Sequence, residues 1–185
     1  YTTPVKVLAG AFFKLDQPGC VGTELTFKEL SVNYPGYSIT KWEWNFGDGS
    51  GNQQFTASGS RDGKHTYANA GPYAVTLKVY VTNDQNQECS FTTSNTITIN
   101  PIPTADYIIE APLCTGNTYK FIQNANFGQV GNGPIKWTFS NNQTSVNDIT
   151  LQQFAVGNQT VQLKVTDRLG CSNTKSGTLV VSAPA

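Results

Sequence analysis

Trp42-Glu43-Trp44-Asn45-Phe46-Gly47-Asp48-Gly49, followed after a loop by His65-Thr66-Tyr67-Ala68-Asn69-Ala70-Gly71-Pro72-Tyr73-Ala74-Val75-Thr76-Leu77-Lys78-Val79, decides the fold. Trp42, Trp44 and Phe46 share one face, and Lys41, Glu43 and Asn45 share the other. That period of two belongs to a half-buried strand. Gly47-Asp48-Gly49 ends it, because glycine tolerates left-handed backbone and Asp accepts bonds from nearby amides. Beyond Gly71-Pro72, the residues Tyr73, Val75, Leu77, Val79 and Val81 alternate with Thr76, Lys78 and Tyr80. The stretch is therefore strand, tight turn, corner and strand. It organises a fold without supplying chemistry.

The same alternation recurs along the chain. Leu25 with Phe27, and Ile97 with Ile99, are expected to face inward. So are Tyr119 with Phe121, Ile135 with Trp137 and Phe139, and Val161 with Leu163 and Val165. Turn residues punctuate the strands at Pro35-Gly36, Gly131-Asn132-Gly133-Pro134 and Leu169-Gly170, and no long stretch has a helical period. Short strands with regular turns predict an all-β fold of antiparallel sandwiches.

The chain also repeats itself. Cys20-x4-Leu25-Thr26-Phe27 matches Cys114-x4-Tyr119-Lys120-Phe121, and Trp44-Asn45-Phe46 matches Trp137-Thr138-Phe139. Val75-Thr76-Leu77-Lys78-Val79 matches Val161-Gln162-Leu163-Lys164-Val165, and Cys89 matches Cys171. Order is kept while the loops shorten, which predicts two tandem copies of one domain, 1–100 and 105–185. Residues 101–104, within Asn100-Pro101-Ile102-Pro103-Thr104, are expected to form a short stiff linker, since prolines favour extended backbone.

Four cysteines allow three pairings. One early and one late cysteine per copy predicts Cys20–Cys89 and Cys114–Cys171, each stabilising by very roughly 4 kcal/mol. Free buried thiols are the alternative. Cys20 precedes the Leu25–Phe27 strand and Cys89 follows the Val75–Val81 strand, so the bridge is expected to tie one end of the sandwich. Zinc is disfavoured, because no Cys-x2-Cys spacing exists and His65 is the only histidine.

Composition narrows the function. Charged residues make up 13%, against an ordinary share of about a quarter, and twelve acids balance twelve bases. That argues against nucleic acid and against anionic membranes, which need clustered Lys and Arg. No apolar run approaches the roughly 20 residues of a membrane span. The lack of Met and of a signal peptide suggests a mature fragment. A polar, weakly charged surface with an even cysteine count suits an oxidising, extracellular setting.

Trp44-Asn45-Phe46-Gly47-Asp48-Gly49, then His65-Thr66-Tyr67, then Gly71-x-Tyr73-x-Val75-Thr76-Leu77-x-Val79, resembles the signature of the PKD (polycystic kidney disease) domain. The resemblance is close over 40–80 and extends, with flanking strands, over about 5–100. It implies an Ig-like β-sandwich in which Trp44, Phe46, Asp48, Tyr67 and Tyr73 are structural. The second copy keeps Trp137, Phe139, the Phe154-Ala155-x-Gly157 corner and the following strand. It has Ser140-Asn141-Asn142 in place of the Gly-Asp-Gly turn, and no His-Thr-Tyr, so it reads as a divergent PKD-like domain. The early cysteines and the Gly170-Cys171-Ser172 hairpin resemble PKD repeats of secreted Bacteroidota proteins, including gliding adhesins and type IX secretion cargo.

Each candidate site competes with a plain structural role. Asp48 is expected to shape its turn. His65 has no Gly-x-Ser-x-Gly or His-Glu-x2-His context that would make it a base, and reads as a packed loop residue. Some PKD domains bind calcium, and Asp84 and Asp167 would be the first ligands. Ca2+ wants six to eight oxygens, and the loops 30–37 and 123–128 contain no Asp, so no cofactor is expected. Trp42 reads as core rather than as a sugar platform. Tyr34, Tyr37, Phe55 and Phe127, in polar loops, are the expected ligand-surface aromatics. Asn142-Gln143-Thr144 and Asn158-Gln159-Thr160 match the glycosylation pattern, meaningful only in a eukaryotic secretory host.

The expected function is a non-catalytic extracellular spacer, adhesion or protein-interaction module, with protein or polysaccharide partners. The alternatives are an accessory polysaccharide- or protein-binding module of a secreted hydrolase, and a calcium-stiffened linker.

Overall fold

A computed structural model describes residues 10–56, 59–111 and 118–182. The chain divides into two compact units, Tyr1–Asn100 and Pro101–Ala185.

The first unit contains β1 (Phe13–Leu15), β2 (Glu24–Glu29), β3 (Tyr37–Asn45), β4 (Asn52–Thr56), β5 (Gly63–Thr66), β6 (Gly71–Asn83) and β7 (Glu88–Ile99). They form two antiparallel sheets, β1-β2-β5 and β4-β3-β6-β7. The second unit contains β8 (Tyr107–Glu110), β9 (Thr118–Gln123), β10 (Asn132–Phe139), β11 (Thr144–Ser145), β12 (Ile149–Gln153), β13 (Gly157–Asp167) and β14 (Ser172–Val181). Their order, β8-β9-β12 and β11-β10-β13-β14, repeats that of the first unit. The fold is all-β: two tandem β-sandwiches, each with one small and one larger antiparallel sheet.

Each core follows from strand alternation. In the first unit Leu25, Phe27, Trp42, Trp44, Phe46, Val75, Leu77 and Val79 are buried between the sheets. In the second, Phe121, Trp137, Phe139, Val161, Leu163 and Val165 fill the same places. Trp44 stacks on Phe46, with centroids 6.3 Å apart, and Trp137 stacks on Phe139 at 6.0 Å. A buried indole N–H usually finds an acceptor. Trp44 Nε1 donates to Arg61 O at 3.0 Å, and Trp137 Nε1 donates to Asn147 O at 3.0 Å. Gly63, opposite Phe27 on β5, leaves room for the first indole: an added Cβ would lie 2.8 Å from Trp44 Cδ2.

The turns differ as the sequences do. Gly47 has φ +76°, and a Cβ there would lie 2.6 Å from Ala74 O. Only glycine fits that close approach without strain. The second unit closes the equivalent turn through Asn142 at φ +64°, whose N–H donates to Phe139 O. Asn adopts left-handed backbone more readily than most side chains.

The Cys20–Cys89 pairing does not form. Cys20 bridges Asn100, just past the C-terminal end of β7. Cys89 stands at the other end of β7, opposite Val81. At about 3.3 Å per residue the two cysteines are separated by roughly 35 Å, against the roughly 7 Å limit for a disulfide's Cα atoms. Cys89 is exposed, with a free thiol. Cys20 and Cys171 are buried and disulfide-bonded. Cys114, and with it the expected Cys114–Cys171 pairing, lies outside the described residues.

Candidate functional site

Two groups of side chains in the first unit could do chemistry or binding. One surrounds Asp48. The turn after β3 points its carboxylate back at β5, where Oδ2 lies 2.6 Å from His65 Nε2. The other oxygen, Oδ1, accepts bonds from Ser50 N–H at 3.1 Å and from Ser50 Oγ at 2.7 Å. Partial burial opposes ionisation of the carboxyl. The bonds from the Ser50 hydroxyl, from His65 and from the Ser50 amide outweigh it and hold the pKa down to about 2.

This trio contains the residue types of a hydrolase triad in the wrong order. A triad needs His between Ser and Asp, so that the imidazole takes the hydroxyl proton. Here the carboxylate sits between the other two. The imidazole is further occupied by packing, stacked on Phe46 at 4.4 Å and met edge-on by Tyr67 at 4.6 Å. Tyr67 is fully buried and donates from its hydroxyl to Phe46 O at 2.9 Å. Desolvation pushes the Tyr67 phenol well above its usual range. Asp48, His65 and Tyr67 thus lock the turn after β3 to the entry of β6.

The second group is the better site. Tyr34, from the loop before β3, is 50% exposed. It meets Tyr37, at the start of β3, edge-on at 5.7 Å and Phe91 of β7 at 6.4 Å. With Val81 and Cys89 these rings line a recess of about 250 Å3. That is below the roughly 300–1,000 Å3 of enclosed small-molecule pockets, so the recess suits stacking or anchoring rather than engulfing a ligand.

The four expected surface aromatics separate here. Tyr34 and Tyr37 come together at the recess. Phe55 does not join them: it lies on β4, opposite Trp42 and packed on the core. Phe127 is buried in the core of the second unit. Polarity of the surrounding sequence misled in both cases, because neighbouring polar residues face out while the ring turns in. Phe91 and Cys89 are the residues that sequence reasoning missed. Their signal was parity: both share the side of β7 that faces Val79 and Val81 across the ladder.

Trp42 is buried, with the Arg61 guanidinium 4.5 Å above its ring, and offers no platform to a sugar. Asp84 is exposed in the turn between β6 and β7. Asp167 is 3% exposed, and its Oδ1 accepts from Leu169 N–H and Cys171 N–H, each at 2.9 Å. Asn83 does the same in the first unit, receiving Gln85 N–H at 3.0 Å and Gln87 N–H at 2.9 Å. The structural counterpart of Asp167 is therefore Asn83, a hairpin cap, and not Asp84. Among the described residues no three His, Cys, Asp or Glu side chains converge as a metal site.

The PKD domain family model matches residues 10–99. The match lies within the first unit and stops where that unit ends. No curated protein matches the chain. Among solved structures the chain is similar to the PKD1 domain of Vibrio anguillarum Epp, at 26% identity over 46% of this chain and 99% of that one, TM-score 0.43. It is similar to the PKD1 domain from Vibrio cholerae metalloprotease PrtV, at 24% identity over 44% and 99%, TM-score 0.41. The fibronectin(III)-like modules of Clostridium thermocellum CbhA align at 14% identity over 93% and 95%, TM-score 0.47.

Proposed function

We propose that this chain is a non-catalytic extracellular segment whose two sandwiches act as spacer and interaction module, with the Tyr34–Tyr37–Phe91 recess as its contact surface. One observation supports this most: three aromatic rings from a loop, a strand start and an edge strand gather at an accessible recess. Aromatic faces stack on sugar rings and anchor protein side chains equally well. The partner is a polysaccharide or a protein at the cell surface. The finer placement, among secreted or surface proteins of Bacteroidota, rests on the motif resemblance.

Retention on insoluble chitin and cellulose and on a glycan array tests the reading. Tyr34→Ala and Phe91→Ala are expected to abolish whatever retention the parent chain shows. Retention unaffected by both substitutions would remove the recess from the proposal.

A further inference from the structure

The two units share a topology but not the outer face of the smaller sheet. In the first unit Lys14 on β1 stands opposite Lys28 on β2, and Lys28 is ion-paired at 2.6 Å with Asp62, which flanks β5. The next row pairs Thr26 with Lys64, which reaches Glu24 at 3.3 Å. This is a charged, solvated face.

The same rows in the second unit read differently. Ile108 on β8, Ile122 on β9 and Ile149 on β12 stand side by side across the sheet. They occupy the places of Lys14, Lys28 and Asp62. The next row is Glu110, Lys120 and Leu151, with Lys120 Nζ 3.0 Å from Glu110. Ile108 is 50%, Ile149 52% and Leu151 64% exposed. The opposite faces of these strands, with Ile109, Phe121 and Thr150, turn toward the core, so the outer rows take no part in the unit's own packing. A contiguous aliphatic row left on an outer sheet face is a candidate interaction surface.

Its chemistry selects the occupant. The surface is aliphatic without a ring, which does not suit sugar stacking, and it has no net charge. A two-fold interface must be complementary to itself. This face is: a two-fold axis lying between the two facing sheets, parallel to the strands and midway between β8 and β9, sets Ile108 of one copy against Ile122 of the other and Lys120 against Glu110. The chain as a whole has twelve acids and twelve bases, so two copies do not repel. We infer that the Ile108–Ile122–Ile149 face is a homodimerisation surface, with Lys120 and Glu110 setting its register.

The test is sedimentation equilibrium of the 185-residue chain carrying Cys89→Ser, so that intermolecular disulfides play no part. The average mass is expected to rise with concentration from 20.0 kDa toward twice that value. Ile122→Lys, which copies the charged face of the first unit, is expected to weaken association about tenfold or more. Lys120→Glu alone and Glu110→Lys alone each create like-charge contacts and should weaken it too, without touching the core. An equimolar mixture of those two single variants should associate again, because both contacts become attractive. A chain that stays monomeric throughout would overturn the inference and leave the face to a foreign protein. So would association indifferent to Ile122→Lys, or a mixture that fails to recover.

Discussion

His65 Nε2 and Asp48 Oδ2 lie 2.6 Å apart across the space between the β3 turn and β5, with both side chains mostly shielded from water. The contact joins two motifs that are 17 residues apart, and it makes the first unit sensitive to acid. The Asp48 carboxyl titrates at about 2 in the folded chain, below the ordinary 3.8. The unfolded chain therefore takes up this proton first as pH falls. The stabilisation is complete above about pH 4 and is lost progressively down to about pH 2. Its size is on the order of 2 kcal/mol, since each tenfold change in proton affinity is worth roughly 1.4 kcal/mol. Urea melts at pH 7, 4 and 2.5 should show this loss for the parent chain and not for Asp48→Asn. An unchanged pH profile in Asp48→Asn would contradict the assignment.

Tyr67→Phe tests the corner. The substitution keeps the ring and removes the hydroxyl that donates to Phe46 O, leaving a buried carbonyl unpaired. A loss of about 1–2 kcal/mol is expected. Chemical denaturation followed through the nearby tryptophans would measure it, and a neutral result would mean that the carbonyl finds another donor.

Trp42 and Trp44 sit two residues apart on one strand face, yet their indole nitrogens differ. Trp44 Nε1 has its acceptor, whereas Trp42 Nε1 is buried with none. Replacement by Phe removes similar volume at both places but deprives only position 44 of a hydrogen bond. Trp44→Phe should therefore cost about 1 kcal/mol more than Trp42→Phe. Equal losses in paired melts would show that volume alone decides.

Cys89 should react with iodoacetamide in the native, unreduced chain, since it is exposed and its thiol is free. Cys20 and Cys171 should resist until a reductant is added. Peptide mass spectrometry after native alkylation gives the answer directly. Cys89→Ser should leave the melting temperature within about 1 °C of the parent, as expected for an exposed side chain without a bond.

Much of this protein was legible in one dimension. Alternation at Trp42–Phe46, Tyr73–Val81 and Val161–Val165 placed the core faces, because a strand's period of two leaves each residue only one side to take. The internal repeat placed the matching strands of the second unit, and Asp48 between two glycines marked a turn. These are local properties, set by backbone geometry and by the need of apolar side chains to leave water.

What required the folded chain was everything that depends on which end or edge of a sheet a residue reaches. Early and late cysteines looked paired in sequence, but β7 separates Cys20 from Cys89 by its whole length. Phe127 and Phe55 looked like surface rings among polar neighbours, and the sandwich turned them inward. Tyr34 and Tyr37 became a site only when β7 brought Phe91 beside them. The contrast between the Lys14–Lys28 and Ile108–Ile122 rows exists only across hydrogen-bonded strands. Sequence specifies which side of a strand a residue faces, whereas strand pairing and the closing of one sheet over another specify its neighbours.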